Sequence, residues 1–296
     1  MAASGRRRLI LFDGIKIGFI GAGKVGVSLG KYFKEKGREV SGYYSLSPQS
    51  ARWAATFTQT TYYENLQEII SGSEMLLFTV PDGAIAPVWE QAKPYISGKI
   101  ICHCSGLHSS KIFSDIGSTK SYAYSIHPLM AVSSKENSWK ELSKTLLTIE
   151  GDEKYLSCIE KMFRDMGNRT RIISAANKIK YHAAAALSSN YMTALFDMAQ
   201  TLFEKCGFAE EEARKELYQL ASGNLEHILQ DGCTKALTGP VERNDVETVK
   251  KHLSALDADM RQAYEANALY LIRVAKRKHP DRDYSNMQAL FSSIIS

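Results

Sequence analysis

The sequence lacks an apolar run long enough to cross a membrane, which takes about 18–20 residues. Its longest uncharged stretches, such as Ala183–Leu195, contain Ser, Asn and Thr and predict a buried helix. Hydrophobic residues make up 44% of the chain and charged residues 23%. This balance is typical of a soluble globular protein and argues against a disordered one, so we expect no membrane partner.

Cysteine is scarce and scattered. The five cysteines, at 102, 104, 158, 206 and 233, form no C-x-x-C pair and no cluster with the spacing of metal ligands. The pattern predicts no metal site and is typical of a reducing compartment. Arg6–Arg8 are followed only by Leu9–Phe12 before Asp13, which is not the pattern of a signal peptide. We therefore expect a cytoplasmic protein.

The excess of positive charge is small. The formal net charge is +5, and Arg6–Arg8 supply three of these charges. A second basic run, 273–282, lies at the end of a predicted helix, where cations favour the negative end of the helix dipole. The chain has no long basic stripe and no DNA-binding motif, so nucleic acid is not an expected partner.

The first 173 residues alternate short β-like runs with helical stretches. The predicted strands are 16–20, 39–44, 60–62, 74–79, 99–103, 121–126, 145–149 and 170–173. The predicted helices between them are 25–36, 48–56, 65–71, 83–93 and 152–165, and a loop or a short surface element is predicted for 131–140. This alternation predicts an α/β fold in which a doubly wound, mostly parallel sheet has helices on both faces.

The second half of the chain has a different character. Residues 175–206 contain neither Pro nor Gly, and they predict one helix of about 30 residues that ends at Gly207. Further helices are predicted at 210–221, 224–235, 246–256, 258–278 and 284–294. We therefore expect a sheet domain, 1–174, followed by an all-α domain, 175–296. A helix longer than its own domain often packs against a second subunit, so we expect a homodimer formed through these C-terminal helices.

A glycine-rich turn gives the strongest local signal. Gly21-Ala22-Gly23-Lys24-Val25-Gly26 follows a predicted strand and opens a predicted helix, which is the context that a dinucleotide-binding G-x-G-x-x-G motif requires. The first glycine allows a tight turn, the second lets the backbone approach a pyrophosphate, and the third lets the helix pack closely on the strand. Free N–H groups at the helix start then bind phosphate.

The end of the second predicted strand favours NADP over NAD. An NAD site usually offers Asp or Glu there to bond the ribose 2′-hydroxyl, but residues 43–52 contain no acid. In the Ser45-Leu46-Ser47 segment the two hydroxyls, together with the cation of Arg52, could accept a 2′-phosphate. Ser47 also suits a helix N-cap before Pro48, and the two roles are compatible.

Polar residues follow three further strands, at the edge where doubly wound sheets bind ligands. Val80-Pro81-Asp82 follows the fourth strand, and Asp82 suits the N-cap of the next helix as well as a position beside the cofactor ribose. His103-Cys104-Ser105-Gly106 follows the fifth strand and His127-Pro128 follows the sixth. For each histidine, a structural hydrogen bond and a functional role are both open.

Several motifs together resemble a known group of proteins. They are His103-Cys104-Ser105-Gly106, His127-Pro128-Leu129, Tyr181-His182-Ala183-Ala184-Ala185, Ser189-Asn190-Tyr191, and Thr238-Gly239-Pro240 with Arg243, Asp245 and Thr248. With the glycine-rich turn and the Val80–Asp82 loop, they resemble mostly prokaryotic Rossmann-like NADP oxidoreductases with a C-terminal helical domain of no assigned function. That group lies in the superfamily of pyrroline-5-carboxylate reductases and 6-phosphogluconate dehydrogenase-like proteins. The resemblance spans about Lys16 to Lys278.

The resemblance implies hydride transfer between NADP and a C=O or C=N carbon of a small polar molecule. Hydroxyacid dehydrogenases of this superfamily resemble one another in a Lys followed four residues later by Asn. Here Lys178 is followed by His182 and Lys180 by Ala184, so the hydroxyacid dehydrogenase mechanism is not implied. Thr238-Gly239-Pro240 is similar to a carboxylate-binding turn of the pyrroline-5-carboxylate reductases, without its Gly-Gly-Thr-Thr part.

One face of the predicted long helix carries polar residues. His182, Ser189 and Asn190 are seven and eight residues apart, which is close to two helical turns. A polar core network and a substrate pocket are both open interpretations, and the adjoining cofactor motif favours the pocket. We predict His182 as the acid or base, Asn190 as a substrate-orienting group, and His127 and Ser105 as second candidates. Ser189 is a predicted substrate contact.

The motif Arg243-Asn244-Asp245-Val246-Glu247-Thr248 also has two interpretations. Asn244 and Glu247 have the spacing of a capping box, and Asp245 suits a helix start. Arg243 could instead bind a substrate carboxylate or phosphate through its planar fork. The leading interpretation of the whole chain is an NADP-dependent oxidoreductase. The alternative is an NADP-binding redox sensor or assembly protein without turnover, because the fingerprint indicates binding and not catalysis.

Overall fold

A computed structural model of the chain describes residue 12 and residues 14–291. The chain divides into two compact units, Met1–Asn190 and Tyr191–Ser296. The first unit contains the sheet and the second is helical. The domain boundary after residue 174 stays a prediction. Arg6–Arg8 and the end of the helix predicted for 284–294 lie outside the described residues.

All eight predicted strands form one sheet. They are β1 (Ile17–Ile20), β2 (Val40–Tyr44), β3 (Thr61–Tyr62), β4 (Met75–Phe78), β5 (Ile100–His103), β6 (Tyr122–Pro128), β7 (Leu146–Gly151) and β8 (Arg169–Ile172). Their order is β3-β2-β1-β4-β5-β6-β7-β8. The first six strands are parallel, β7 is antiparallel to β6, and β8 is parallel to β7. The sheet is therefore mostly parallel, as predicted.

The strand order changes direction between β1 and β4, where consecutive crossovers leave in opposite directions. In open α/β sheets this switch point is where ligands bind, outside the carboxyl ends of the strands. The loops after β1, β2, β4, β5 and β6 lie at this edge because those strands are parallel. Most of the residues predicted for the site lie at this carboxyl edge of the sheet.

Five α-helices connect the strands of the first unit: α1 (Lys24–Glu35), α2 (Pro48–Thr58), α3 (Leu66–Ser71), α4 (Asp82–Ala92) and α5 (Glu153–Asp165). Short 3₁₀ helices span Lys93–Tyr95, Ser110–Ile112, Ile116–Thr119, Ser138–Lys144 and Ala175–Asn177. Two cores cover the two faces of the sheet. Phe19, Phe33 and Phe163 pack in one, and Phe78, Trp89 and Phe113 pack in the other. Each such side chain contributes about 1.5–3 kcal/mol by its burial.

The remaining helices are α6 (Lys178–Ser188), α7 (Asn190–Lys205), α8 (Glu210–Ala236), α9 (Pro240–Arg243), α10 (Val246–Ala255), α11 (Ala258–Lys278) and α12 (Ser285–Ala289). A third core lies within the second unit and includes Val249, Ile272, Tyr284 and Phe291. Among the described residues, no helix is both long and apolar enough to cross a membrane.

The single helix predicted for 175–206 is wrong. A 3₁₀ turn precedes α6, and Ser189, with φ −126° and ψ −72°, separates α6 from α7. The N–H of Ser189 bonds the carbonyl of Ala186 instead of the carbonyl four residues back. Conversely, the helices predicted at 210–221 and 224–235 are one element, α8, in which Gly232 is non-helical.

Candidate functional site

The Gly21–Gly26 turn joins β1 to α1 in a form that only glycine allows. Gly21 has φ +110°, and its N–H bonds the carbonyl of Tyr44 at 2.7 Å. A Cβ on Gly26 would lie 2.3 Å from Thr79 Oγ1 and 2.7 Å from the Gly21 carbonyl oxygen. The turn is therefore packed directly against the end of β4, and any side chain at Gly26 would displace backbone.

The start of α1 is free of side-chain capping. Gly23 is its N-cap and no side chain bonds the first turn, which also contains no acidic residue. The exposed Lys24 is the first helical residue, and half-buried Val25 follows it. Uncapped N–H groups at a helix start bind anions through hydrogen bonds and the helix dipole. The residues present thus fit the pyrophosphate of a dinucleotide.

A cavity of about 200 Å³ opens beside this turn. Three loops contribute most of its wall: residues 21–23 after β1, residues 44–46 at the end of β2, and residues 79–81 after β4. The structure therefore brings together seven of the predicted cofactor residues: Gly21, Ala22, Gly23, Ser45, Leu46, Val80 and Pro81. A position at the ends of three neighbouring strands is where doubly wound sheets bind dinucleotides.

The residues predicted to read a 2′-phosphate lie beyond β2. Ser47 is the N-cap of α2, with its hydroxyl accepting from the Ser50 N–H at 3.3 Å, and its own N–H bonds Ser45 Oγ at 3.3 Å. The predicted N-cap role of Ser47 is confirmed. Arg52 lies one turn further along α2, with its guanidinium 4.9 Å from the ring centroid of Tyr62.

The turn after β5 is organised by His103. Its Nδ1 accepts the N–H of Ser105 at 3.1 Å, and its Nε2 lies 3.1 Å from the Ser109 carbonyl oxygen. Because Nδ1 accepts, the neutral ring carries its hydrogen on Nε2 and donates it to Ser109. Burial, assisted by the positive charge of Lys178, lowers the pKa of His103 to about 4. His103 thus acts as a neutral structural bridge.

Ser105 connects this turn to the neighbouring loop. Its hydroxyl donates to Asp82 Oδ2 at 2.8 Å and accepts the N–H groups of Leu107 and His108 at 3.1 and 3.0 Å. The N-cap role predicted for Asp82 is wrong, because α4 begins at Asp82 and its N-cap is Pro81. The Asp82 carboxylate instead links the start of α4 to the β5 turn.

Lys178, the first residue of α6, is not among the residues that the sequence predicts for the site. Its side chain is 1% exposed, and Nζ donates to the Ser105 carbonyl and to Ser125 Oγ, both at 2.7 Å. Burial lowers the pKa of Lys178 to about 8, although the nearby Glu150 carboxylate acts in the opposite direction. A spacing of polar residues could not reveal this contact, which depends on the path of the chain after β8.

His127, at the end of β6, pairs with Tyr181 of α6. Its Nδ1 lies 2.7 Å from the Tyr181 hydroxyl, and the two rings pack edge to face. Burial, with help from the Lys178 charge, lowers the pKa of His127 to about 4, and burial raises the pKa of Tyr181. Both side chains are therefore neutral at pH 7.

Two imidazoles converge on Gly106. A Cβ built on Gly106 would lie 2.7 Å from His182 Nδ1 and 3.0 Å from His127 Nε2. Among the described residues, His182 Nδ1 has no hydrogen-bond partner although it is shielded from solvent. The structure therefore packs two predicted residues, His127 and His182, against Gly106 at the carboxyl edge of the sheet.

The other predicted contacts are placed differently. Ser189 and Asn190 are exposed at the break between α6 and α7, so they do not share one continuous helix face with His182 as predicted. Arg243 is exposed at the end of α9, in the second unit. Hydrogen bonds from Thr248 lower the pKa of Asp245, and the charge of Arg243 adds to that effect.

The predicted capping box after Arg243 is also wrong in part. Asn244 has φ +62° and ends α9, where its Nδ2 donates to the Asp283 carbonyl. Asp245 is the N-cap of α10 and accepts the Thr248 N–H at 3.0 Å. Across the described residues, no group of three or more His, Cys, Asp or Glu side chains is placed to hold a metal ion.

Comparison with known proteins agrees with this architecture. Residues 7–128 match the model of a Rossmann-like domain, and residues 145–271 match that of a domain of unknown function (DUF2520). No curated protein sequence matches the chain.

Solved structures share the fold over most of the chain. A provisionally assigned NADP oxidoreductase from Bacteroides fragilis is 20% identical, with a TM-score of 0.73, over 88% of this chain and 99% of its own. A Thermotoga maritima protein is 25% identical, with a TM-score of 0.69 and the same two coverages. A Plasmodium falciparum pyrroline carboxylate reductase with NADP bound is 14% identical, with a TM-score of 0.59, over 90% of this chain and 97% of its own.

These findings confirm the resemblance that the motifs predict. At identities of 14% and 20%, the likeness to these proteins is one of fold. The chain thus combines a Rossmann-like segment with a segment of the DUF2520 type, in a fold shared with NADP oxidoreductases that include pyrroline carboxylate reductase.

Proposed function

We propose that the protein is an NADP-dependent oxidoreductase that transfers a hydride to or from a C=O or C=N carbon of a small polar substrate. One observation carries the proposal: the glycine turn and the His127–His182 pair lie at the same edge of the sheet. Strands β1, β4, β5 and β6 are parallel neighbours, and the Asp82–Ser105 hydrogen bond joins the loops between the two places.

The cofactor proposed is NADP. Its pyrophosphate would be held by the start of α1, and its 2′-phosphate by Ser45, Ser47 and Arg52. The absence of an acid over residues 43–52 supports this choice, because a carboxylate would repel the 2′-phosphate. The Plasmodium falciparum reductase with the same fold has NADP bound. Arg52 is held over Tyr62, so its guanidinium is ordered near the helix start.

The chemistry proposed for the protein's own residues is proton transfer and orientation. A bound nicotinamide supplies or accepts the hydride. His182 gives or takes the proton, since its Nδ1 faces the backbone of Gly106 with no other partner among the described residues. A hydrogen bond donated by Tyr181 to His127 Nδ1 leaves the ring hydrogen on Nε2, which also faces Gly106. His127 then orients a substrate oxygen or nitrogen as a neutral donor.

The remaining predicted residues have supporting roles in this proposal. Ser105 shapes the turn, because its hydroxyl is committed to Asp82 and to two backbone N–H groups. Asn190 and Ser189 orient the polar end of the substrate. Arg243, in the second unit, is proposed separately as an anion-binding residue. All three are exposed and so are open to contact from solution.

We further propose that the protein is a homodimer formed through its C-terminal helices and that it acts in the cytoplasm. Helix α7 has no buried residue, and α8 buries only Ala213 and Leu217. A groove of about 350 Å³ between α7 and α11 is lined mainly by apolar side chains, among them Leu195 and Leu271. A second copy of the chain would cover these surfaces.

Cofactor titration tests the central proposal. NADPH should bind more tightly than NADH, and Arg52→Gln should weaken NADPH binding about tenfold, the effect expected of one charge-assisted hydrogen bond. NADH binding should not change. Arg171→Gln, which removes the same charge from the strand at the other end of the sheet, is the matched control. Tighter binding of NADH, or binding of neither cofactor, would contradict the proposal.

Turnover distinguishes the oxidoreductase from its alternative, an NADP-binding redox sensor or assembly protein. Small imines and keto acids should be screened for NADPH oxidation, with His182→Asn as the catalytic variant. The expected result is turnover by the wild type and a loss of at least about a hundredfold in kcat for the variant. Tight NADPH binding without turnover of any substrate would favour the sensor.

A further inference from the structure

Lys178 is an unusual buried cation. It is 1% exposed, yet its two hydrogen bonds go to a backbone carbonyl and a hydroxyl, not to a carboxylate. Glu150, a carboxylate that acts on the charge of Lys178, instead bonds the N–H and the hydroxyl of Ser110 at 2.7 and 2.8 Å. Burying an ammonium without an ion pair costs several kcal/mol. An apolar residue would fill the same space at lower cost, so the charge itself needs an explanation.

Lys178, Ser105 and Ser125 are joined to one another by three hydrogen bonds. Ser125 Oγ donates to the Ser105 carbonyl at 3.3 Å, and Lys178 Nζ donates to both of these oxygens at 2.7 Å. Ser105 immediately precedes Gly106, and Ser125 stands two residues before His127 on β6. A single ammonium therefore holds the β5 turn against β6.

Lys178 is also part of α6, the helix that carries Tyr181 and His182. Tyr181 and His182 follow Lys178 by three and four residues on α6, and so lie about one helical turn along the same face. The three segments that meet at Gly106 are thus the β5 turn, the end of β6 and the first turn of α6. Lys178 is covalently part of one and hydrogen-bonded to the other two.

We propose that Lys178 is a positioning residue that fixes how His127 and His182 approach Gly106 and that adds a positive charge to the surroundings of His127. It does not itself touch substrate in this account, because its Nζ is enclosed by the protein. The proposal deepens the proposed function and rests on it for the role of this arrangement in catalysis. The contacts and the charge effect stand independently of any substrate.

The electrostatic part follows from the groups around His127. Burial is the main cause of its low pKa, and the positive charges of Lys178 and His182 add to that effect, while the Asp82 carboxylate opposes it. Around Lys178 itself, the Glu150, Cys104 and Asp82 side chains favour the charged form against burial. At pH 7 the ammonium is therefore mostly present and His127 is neutral.

The experiment is an NMR titration of the His127 ring in the full chain, with the resonance assigned by its loss in His127→Gln. In Lys178→Met the pKa of His127 should rise by about one unit, because one nearby positive charge is gone. Lys178→Arg keeps the charge and should restore most of the low pKa. The matched control is Lys180→Met, which removes an exposed lysine two residues along the same helix.

A second measurement needs only the wild-type protein, in case Lys178→Met does not fold. As the pH rises through about 8, the ammonium of Lys178 loses its proton, and the His127 resonance should show a second inflection there. An unchanged His127 pKa in folded Lys178→Met, or a wild-type resonance with no inflection between pH 7 and 9, would overturn the proposal. Neither readout needs cofactor or turnover, so failure of the proposed function would not mimic either result.

Discussion

Gly26 lies where α1 comes closest to the loop after β4, and its replacement gives a sharp test at the residue scale. Gly26→Ala would place Cβ 2.3 Å from Thr79 Oγ1 and 2.7 Å from the Gly21 carbonyl oxygen. Because the second contact is backbone, we expect a loss of about 1–3 kcal/mol in the free energy of unfolding, measured by urea denaturation.

The control for this variant is Gly83→Ala, another glycine near the start of a helix. A Cβ on Gly83 would meet nothing within 4 Å, so this change should be neutral or stabilise by up to about 1 kcal/mol. Equal stabilities for the two variants would mean that the turn can widen. In that case the argument that Gly26 must be glycine would fail.

Buried neutral histidine makes stability depend on pH. The pKa of His103 is about 4 in the folded protein, whereas the pKa of an unburied histidine side chain is 6.5. Between these values the unfolded chain binds more protons, so the free energy of unfolding falls as the pH falls. His103→Gln keeps a hydrogen-bond donor and an acceptor but cannot take up the proton. Between pH 7 and 4.5 its free energy of unfolding should therefore fall by ~2 kcal/mol less than that of the wild type.

Urea midpoints at several pH values measure this difference. Carboxylates titrate in the same range, but they do so in both proteins and cancel in the comparison. His227→Gln, at an exposed position on α8, should follow the wild type. A His103→Gln curve parallel to that of the wild type would contradict the prediction.

Residues with a local signature could be predicted from the sequence, and residues defined by long-range contacts could not. The Gly21–Gly26 turn and the Ser47 cap depend on neighbours close in the chain, so motif and spacing suffice. Lys178 meets Ser105, 73 residues away, and Ser125, 53 residues away. His127 and His182 were predicted singly, and only the fold shows that both pack against Gly106.

At the scale of elements, α8 contains a built-in interruption. Gly232 has φ +76° and ψ +160° inside the helix, a conformation that is essentially restricted to glycine. Gly232→Ala should therefore lower the free energy of unfolding by about 1–3 kcal/mol. Gly223 lies in the same helix, and a Cβ there would meet nothing within 4 Å. Gly223→Ala should instead stabilise by about 0.5–1 kcal/mol.

Thermal unfolding followed by circular dichroism compares the two alanine variants directly. Opposite shifts in Tm are expected, and a rise in Tm for both would show that the chain relaxes into a continuous helix at 232. The interruption is invisible to helical periodicity, because glycine inside a helix usually costs only about 1 kcal/mol. The break at Ser189 also escapes prediction, because the segment 175–206 contains no Pro or Gly to mark it.

At the scale of the whole molecule, the sheet could be predicted because each strand–helix alternation implies a parallel crossover. The exception is the antiparallel pairing of β6 with β7, in which Ile126 lies opposite Ile149. Only a 3₁₀ helix, Ser138–Lys144, lies between these strands, so no long helix returns the chain for a parallel pairing. The lack of a predicted helix at 131–140 therefore also indicated that β6 and β7 are not joined by a parallel crossover.

The helical second unit leaves large apolar side chains uncovered by the chain itself. On α8, Leu225 is 45% and Leu229 is 86% exposed, and Tyr218 and Leu220 are exposed as well. Monomeric proteins rarely leave apolar patches of this kind open to water. We therefore expect sedimentation to give a mass of twice the 33.0 kDa chain at micromolar concentration.

A charge placed on that surface should separate the subunits. Leu229→Glu would bury a carboxylate in the interface, at a cost of about 3 kcal/mol or more, which weakens dimerisation by at least about a hundredfold. Gln230→Glu adds the same charge at the next, exposed position of α8 and should leave the mass unchanged. A wild-type mass of one chain would refute the dimer, and equal dissociation of both variants would show that net repulsion, not burial of Leu229, controls assembly.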